Sequence, residues 1–481
     1  MASTLQCASL LTEKPLCVDL DGSLVKSDTL HDSLLALMRA HPRRALHLPL
    51  EAMKGKAAFK AFVARQIDLD VEHLPFNREL LGYLECEYAR GRQIYLATGA
   101  DIRLARRVAD HLGIFAGVLA SDERTSLTGL RKLEQIRRVL GENFDYIGNA
   151  APDLTILAYS ADPMLANPTR GLRRKLDSRG IETPRIFEDR APAARALVKA
   201  LRPHQWAKNL LLAVPLLLSH RISLAAILSL LGAMVSFSLI ASATYIFNDL
   251  LDIEADRRNA HKRVRPFAAG DLSAGAGVAL GVGLFVLGVS GSLLLPAGFM
   301  GWLFVYVVAT IAYTSLLKRV ALVDVVVLSG MYTLRLLAGA AATHSFISYW
   351  LAGFSVFFFL SLAFVKRFVE LDKLGVDGAA ARNGRGYRPA DIPMLRTSGI
   401  ASAYASIVIF AIYITGQDVM ALYRHPGRLW IAVPFMILWL NRLWLEAGRG
   451  ELHEDPVFFV LTDRASLLMG AAVVALMVLS I

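Results

Sequence analysis

Apolar residues in roughly the first 190 positions occur in short runs separated by longer stretches of mixed polarity. Short apolar runs bounded by turn residues are typical of buried strands, and the intervening stretches have helical character. The runs that fit a buried strand are 15–20, 93–98, 117–120, 144–148 and 155–159. Alternating strands and helices predict a parallel sheet with helices on both faces, so we expect an α/β domain of the Rossmann-like kind here.

From Leu210 onward the apolar stretches become long enough to cross a bilayer, which takes about 20 helical residues. We predict nine such segments, at 209–222, 224–247, 276–296, 299–317, 321–341, 349–365, 397–415, 429–445 and 465–481. The expected organisation is therefore an α/β domain over 1–167, a basic linker over 168–200 and an all-α polytopic membrane domain over 201–481. Composition agrees, because a chain that is 55% hydrophobic is too apolar for an ordinary soluble protein of 481 residues.

Basic residues are concentrated on one side of the predicted segments. The loops near 248–275, 318–319, 366–396 and 442–464 contain 17 Lys and Arg, and the opposite side contains three, Arg221, Arg424 and Arg428. The positive-inside rule then places the basic loops in the cytoplasm. The first residues lack the basic and apolar regions of a signal peptide, so we expect a multi-pass protein of the inner membrane with a cytosolic amino-terminal domain. Loops next to anionic lipid account for much of the net charge of +11, and no nucleic-acid partner is predicted.

An acidic segment, Asn248–Asp256, follows the second apolar stretch. Asp249, Asp252 and Asp256 have the spacing i, i+3, i+7, which places them on one face of a helix. Converging carboxylates repel one another unless a cation lies between them, and Mg²⁺ bound in this way usually also contacts substrate phosphates. The segment therefore predicts a site for Mg²⁺ and a diphosphate, with a solvated acidic helix end as the alternative.

The first predicted strand ends in Asp19-Leu20-Asp21-Gly22-Ser23. Two carboxylates at this position resemble the signature of the haloacid dehalogenase superfamily of phosphotransferases. The resemblance implies that Asp19 attacks phosphorus while Asp21 protonates the leaving alcohol and later activates water. It further implies that residues 24–90 form a helical cap.

By the same resemblance, Thr98 holds the phosphoryl group, Lys132 neutralises charge, and Asp153 joins Asp19 and Asp21 in binding Mg²⁺. Asn149 stands where that superfamily commonly has an acid. A degenerate domain that retains the fold without turnover is therefore the alternative.

From Arg202 to about Ser466 the chain resembles the UbiA superfamily of intramembrane prenyltransferases. The strongest match is NDLLDIEAD, the segment containing Asn248, which in that superfamily binds Mg²⁺ and a diphosphate leaving group. The second aspartate-rich motif of ordinary members is absent from the sequence. In its place Asp324 is followed by Arg335 on nearly the same helical face, and the two are candidate substrate-binding residues, with a purely structural pair as the alternative.

Several stretches narrow this resemblance to the decaprenyl-phosphate phosphoribosyltransferases, namely RPHQWAKN, NDLLDIEADRRNAHKRVRPFAAG, FVKRFVEL and DPVFFVLTDRASL. The implied reaction moves 5-phosphoribose from phosphoribosyl diphosphate to a polyprenyl phosphate. Both substrates are anionic, and the candidate phosphate ligands are Lys208, Lys262, Arg265, Lys318, Lys366 and Arg367. Each of these residues could equally be a positive-inside anchor.

The fusion of two domains fits the phosphoribosyltransferase reaction, because transfer leaves a 5′-phosphate that a tethered phosphatase could remove. The basic loop 373–396 is expected to cover the cytosolic opening.

Two other functions remain open, an ordinary prenyltransferase acting on an aromatic acceptor and a transporter or receptor with a regulatory domain. The sequence does not indicate an oligomeric state.

Overall fold

The computed structural model describes residues 14–220, 222–376, 386–452 and 456–481. They form two compact units. The first comprises Met1–Leu201 with Tyr245–Gly281, and the second comprises Arg202–Thr244 with Val282–Ile481. Residues 377–385 of the predicted loop 373–396 and the first residue of the DPVFFVLTDRASL stretch lie outside the described residues.

A six-stranded parallel sheet forms the centre of the first unit, in the order β3-β2-β1-β4-β5-β6. The strands are β1 Leu16–Val18, β2 Ile94–Asp101, β3 Gly117–Ser121, β4 Asp145–Gly148, β5 Pro163–Ala166 and β6 Arg185–Phe187. Alternate residues of β1 enter different cores: Leu16 and Val18 pack in one apolar cluster and Cys17 in another. The sheet is therefore buried on both faces, as the apolar runs predict.

Helices connect these strands. The insertion between β1 and β2 contains five of them, α1 Thr29–Ala40, α2 Pro42–Ala45, α3 Leu48–Met53, α4 Lys56–Gln66 and α5 Arg78–Ala89. The remaining helices before residue 202 are α6 Ile102–Leu112, α7 Leu130–Leu140, α8 Leu154–Tyr159, α9 Arg170–Asp177 and α10 Ala193–Leu201. The insertion is helical, as expected for 24–90.

Two expectations about this unit are corrected. The run 155–159 forms helix α8, and the next strand is β5 at Pro163–Ala166. Leu154, Ile156 and Leu157 are buried, and an apolar run of this length fits a buried helix as well as a strand. The segment 168–200, predicted as a linker, contains α9, β6 and α10, and β6 pairs with β5 in the sheet.

Helices, most of them apolar, make up most of the remaining chain. They are α11 Val214–Ser219, α12 Leu224–Leu251, α13 Ile253–Arg258, α14 Ala274–Ser292, α15 Ala297–Ser315, α16 Val323–Thr343, α17 Tyr349–Val376, α18 Ile392–Ile414, α19 Gln417–Leu422, α20 Ala432–Gly448, α21 Pro456–Thr462 and α22 Arg464–Ser480. In the described part of the chain, seven helices are long and apolar enough to cross a membrane.

The predicted count of nine spans is not confirmed. Segment 209–222 is a 3₁₀ helix, Pro203–Ala213, followed by the six-residue α11, and α22 has 17 residues. Pro203 and Pro215 lie at the start of these two short helices, where proline is tolerated but cannot continue a preceding helix. A hydropathy profile alone does not distinguish two such short helices from one continuous membrane-spanning helix.

Candidate active sites

The loops that follow β1, β2 and β4 bring together most of the residues assigned to a phosphatase site. Lys132 Nζ on α7 lies 2.6 Å from Asp19 Oδ1 and 3.6 Å from Asp153 Oδ1, and all three side chains are buried. Thr98 near the end of β2 is fully buried, and its hydroxyl accepts a hydrogen bond from the Ala100 N–H at 3.0 Å. Lys132 offsets one of the two buried negative charges, so a dianionic phosphoryl group would need a further cation at this site.

Asp19 and Asp21 differ in surroundings. Burial raises the pKa of Asp19 to about 6 against the opposing effect of Lys132. Burial, with Asp28 nearby, raises the pKa of Asp21 to about 7. Asp21 Oδ1 accepts the N–H of Thr29 at 2.8 Å, and a cavity of about 100 Å³ adjoins it. A carboxyl group that is partly protonated near neutral pH has the property required of a general acid and base.

Asp153 serves mainly to hold its own loop. Its Oδ1 accepts from the Tyr146 hydroxyl at 2.8 Å, and its Oδ2 accepts from the N–H groups of Asn149 and Ala150, both at 3.1 Å. The Asn149 amide lies against the β1 loop, because a Cβ added to Gly22 would be 2.0 Å from Asn149 Nδ2. Sequence reasoning treated Asn149 only as a departure from a pattern, yet the structure places its side chain against the β1 loop, and an amide oxygen is a type of ligand that Mg²⁺ accepts.

The acidic segment is not one continuous helix, which corrects the expected stack of three carboxylates. Helix α12 ends at Leu251, and Asp252 adopts non-helical backbone angles before α13 begins. Asp249 and Asp256 are buried and contact the same atom, Arg265 Nη1, at 3.1 and 2.7 Å. Asp252 instead pairs with Arg39 at 3.0 Å.

This arrangement fits a divalent cation in part. Two carboxylates that share one cationic nitrogen can also share one metal ion, and both supply the hard oxygen ligands that Mg²⁺ prefers. Arg265, expected to contact substrate phosphate, is here the partner of Asp249 and Asp256. Lys262 is exposed and Asn248 is half-buried. Within the described residues, one group of three side chains places possible metal-ligand atoms within 4.8 Å of one another. The group consists of Asp70, Glu72 and His73.

In the second unit, Asp324 forms an ion pair with Arg367 and accepts a hydrogen bond from the Tyr387 hydroxyl. The suggested pairing of Asp324 with Arg335 is therefore wrong, because helix α17 supplies a closer partner than the same face of α16. Arg367 also pairs with Glu370 and donates to the Tyr313 hydroxyl at 2.9 Å. Its guanidinium is occupied by protein groups, so its predicted contact with substrate phosphate would require rearrangement.

Arg335 has a different environment. Its guanidinium donates to Asn209 Oδ1 at 3.2 Å, to the Met331 carbonyl at 2.7 Å and to the Tyr306 hydroxyl at 3.3 Å. It also lies 5.5 Å from the centre of the Tyr332 ring. These partners are all neutral, and within the described chain no carboxylate contact of Arg335 is found. A buried charge held only by neutral groups is costly and is typical of a functional position.

Lys208 approaches the same aromatic ring, with its Nζ 5.8 Å from the Tyr332 centroid. Lys208 and Asn209 both lie in the 3₁₀ helix Pro203–Ala213. Sequence reasoning missed Asn209, Tyr306 and Tyr332, although Asn209 lies one residue from Lys208 in RPHQWAKN. The other two predicted phosphate ligands, Lys318 and Lys366, are half-buried.

Comparison with known proteins agrees with this picture of a membrane transferase. The model of the UbiA prenyltransferase family matches residues 207–470, and the chain belongs to that family. The seven long apolar helices among the described residues, together with this family membership, make it a multi-pass membrane protein.

The chain is also similar to individual proteins. The chain is 34% identical over 298 residues to "Decaprenyl-phosphate phosphoribosyltransferase" of Mycobacterium tuberculosis, covering 60% of this chain and 95% of that protein. It is 37% identical over 468 residues to "Uncharacterized protein y4nM" of Sinorhizobium fredii, covering 97% and 91%. A solved UbiA homolog from Archaeoglobus fulgidus bound to GPP and Mg²⁺ superimposes with a TM-score of 0.45 at 13% identity, over 58% of this chain and 97% of that one.

Proposed function

We propose that this protein transfers 5-phosphoribose from phosphoribosyl diphosphate to a polyprenyl phosphate at the cytosolic side of the inner membrane. Membership of the UbiA family and similarity to a decaprenyl-phosphate phosphoribosyltransferase support the reaction class. The basic loops on the side of the acidic segment support its orientation towards the cytosol.

The observation that carries the choice of acceptor is the buried Arg335. An aromatic acceptor would leave its charge without a counter-ion, whereas a polyprenyl phosphate would supply one. Lys208, which approaches the same Tyr332 ring, adds a second cation. A guanidinium and an ammonium together suit a phosphate group better than a neutral ring, because hydrogen bonds between charged partners are the stronger ones.

The acidic segment is the proposed site for the donor. Asp249 and Asp256, with Asp252, would hold Mg²⁺, which stabilises the negative charge on a departing diphosphate. Lys262 and Arg265 would contact the phosphates, and Arg265 would then leave Asp249 and Asp256 to the cation. The bond from the anomeric carbon to the diphosphate breaks while a bond from that carbon to a lipid phosphate oxygen forms.

A second activity is proposed for the amino-terminal domain, removal of the 5′-phosphate from the lipid-linked sugar. Asp19 would attack phosphorus, Thr98 and Lys132 would hold the phosphoryl oxygens, and Asp21 would protonate the leaving 5′-oxygen. Asp21 would then accept a proton from the water that hydrolyses the aspartyl-phosphate. Asp153 and Asn149 would supply further oxygen ligands for Mg²⁺, together with Asp19.

Mass analysis of the product tests the transferase. Purified full-length protein is incubated with Mg²⁺, phosphoribosyl diphosphate and polyprenyl phosphate, and we expect one diphosphate per turnover and a ribosyl lipid, which retains its 5′-phosphate when Asp19 is replaced by Asn. Asp249→Asn should reduce transfer at least about a hundredfold, since it removes a metal carboxylate. A prenylated aromatic product from prenyl diphosphate, with no ribosyl lipid, would assign the ordinary prenyltransferase reaction instead.

A further inference from the structure

A buried ion pair joins the helical insertion to the acidic segment within the first unit. Arg257 Nη1 on α13 lies 2.8 Å from Asp32 Oδ2 on α1, and the two side chains are 4% and 3% exposed. Each guanidinium nitrogen has a partner, because Nη2 donates to Ser27 Oγ at 3.0 Å and Nε donates to the Ala268 carbonyl at 3.1 Å. Ser27 Oγ in turn donates to Asp32 Oδ2 at 2.6 Å.

Helix α1 contacts the acidic segment at a second point. Arg39 lies seven residues after Asp32, on the same face of α1, and its Nη1 is 3.0 Å from Asp252 Oδ1 and 3.3 Å from the Leu251 carbonyl. A cavity lined by residues of both elements has a volume of about 10 Å³, which is at the lower limit for a single water molecule. The acidic segment is thus fixed on both sides of its helix break by side chains from the insertion.

The same helix begins at the candidate phosphatase site. Its first residue, Thr29, donates its N–H to Asp21 Oδ1 at 2.8 Å, and Asp32 lies three residues further along. One rigid helix of 12 residues therefore contacts Asp21 at one end and both Asp252 and Arg257 along its length.

We propose that the Asp32–Arg257 pair makes the amino-terminal domain a positioning element for the transferase, so that Asp32 sets the placement of Asp252 and Asp256 for metal binding. This inference rests on the proposed function of the acidic segment. Removing the Asp32 charge leaves Arg257 buried without a counter-ion, and the segment must then shift to solvate it. Residues that orient metal ligands typically change metal affinity or activity by 10-fold to 100-fold.

The test compares Asp32→Asn with wild type in the full-length protein. We expect the Mg²⁺ concentration for half-maximal phosphoribosyl transfer to rise about tenfold, with a near-normal rate at saturating Mg²⁺. Asp32→Glu should restore most of the loss. Asp68→Asn is the matched control, because it breaks an ion pair between the insertion and Arg107 in which Asp68 is 86% exposed. That control should leave the Mg²⁺ dependence unchanged.

Hydrogen exchange provides a readout that does not depend on catalysis. Peptides covering residues 248–258 should exchange faster in Asp32→Asn, and Mg²⁺ should protect them only at higher concentration. If Asp32→Asn does not fold, Ser27→Ala weakens the same network more gently and should shift exchange in the same direction. Unchanged exchange and Mg²⁺ dependence in folded variants would overturn the proposal. Wild type that shows Mg²⁺ protection without transfer would refute the proposed reaction and leave the positioning role supported.

Discussion

The two buried arginines Arg335 and Arg367 differ in whether a carboxylate neutralises their charge, and so in how their removal should affect stability. Arg367 is matched by Asp324 and Glu370, so its charge is neutralised inside the protein. Arg335 has neutral hydrogen-bond acceptors and aromatic faces around it. Removing one member of a buried ion pair is strongly destabilising, whereas removing an uncompensated buried charge relieves a cost.

We therefore expect Arg335→Gln to raise the KM for polyprenyl phosphate by about tenfold or more, the loss expected for one hydrogen bond between charged groups. The thermal unfolding temperature in detergent should stay the same or rise. Arg367→Gln is the comparison, and it should lower the free energy of unfolding by about 3–5 kcal/mol because Asp324 then stays buried without its partner. An Arg335→Gln protein that unfolds at lower temperature with an unchanged KM would contradict the assignment.

Helix α16 depends on a close contact with the 3₁₀ helix Pro203–Ala213. A Cβ on Gly339 would lie 2.1 Å from the Leu212 carbonyl oxygen and 2.7 Å from its Cα, both backbone atoms. A side chain at residue 339 must therefore displace the 3₁₀ helix, which carries Lys208 and Asn209.

Gly339→Ala should consequently lower both thermal stability and affinity for the phosphate acceptor. Gly330→Ala on the same helix is the control, since a Cβ there meets nothing within 4 Å. It should be neutral or stabilising by up to about 1 kcal/mol, the difference in helix propensity between the two residues. Equal behaviour of the two variants in thermal unfolding and in acceptor KM would argue against the close contact.

Elements with a strong periodic or apolar pattern were predictable from the sequence. Strands β1 to β4 lie where the apolar runs place them, and the long apolar helices follow from hydropathy. The pattern of the run 155–159 does not separate the two structures, because a short apolar run fits a strand and a buried helix equally well. The break after Leu251 was also missed, since the regular spacing of the acids suggested a continuous helix.

Pairing between distant residues was the least predictable feature of the sites. Asp19, Lys132 and Asp153 could be grouped only through the resemblance to a known family, and the structure brings them together. Asp324 and Arg335 are neighbours on a helical wheel, but the partner of Asp324 comes from α17. Sequence spacing gives the face of a helix and does not identify which other helix packs against it.

At the scale of the whole molecule, two reactions in one chain imply an order, since the phosphatase substrate is the transferase product. Asp19→Asn should leave transfer intact and yield a lipid that retains its 5′-phosphate, because an amide cannot form the aspartyl-phosphate. Wild type should release inorganic phosphate in addition to diphosphate. Mass analysis of the lipid and an assay of both anions measure this difference.

Asp249→Asn serves as the comparison for that experiment, because it should form neither product. Identical lipid masses from wild type and Asp19→Asn would show that the amino-terminal domain does not process this lipid. A regulatory or degenerate domain would then be the better description.

The first compact unit is assembled from two stretches of sequence, Met1–Leu201 and Tyr245–Gly281. Dividing the gene after codon 201 would put Asp32 and Arg257 on different polypeptides, each with a buried group lacking its counter-ion. Such halves would have to associate as separate molecules, whereas a covalent connection makes the association intramolecular. Co-translation also fixes their ratio at one to one. The fusion can thus be understood as a requirement of assembly, independent of any advantage in passing product between sites.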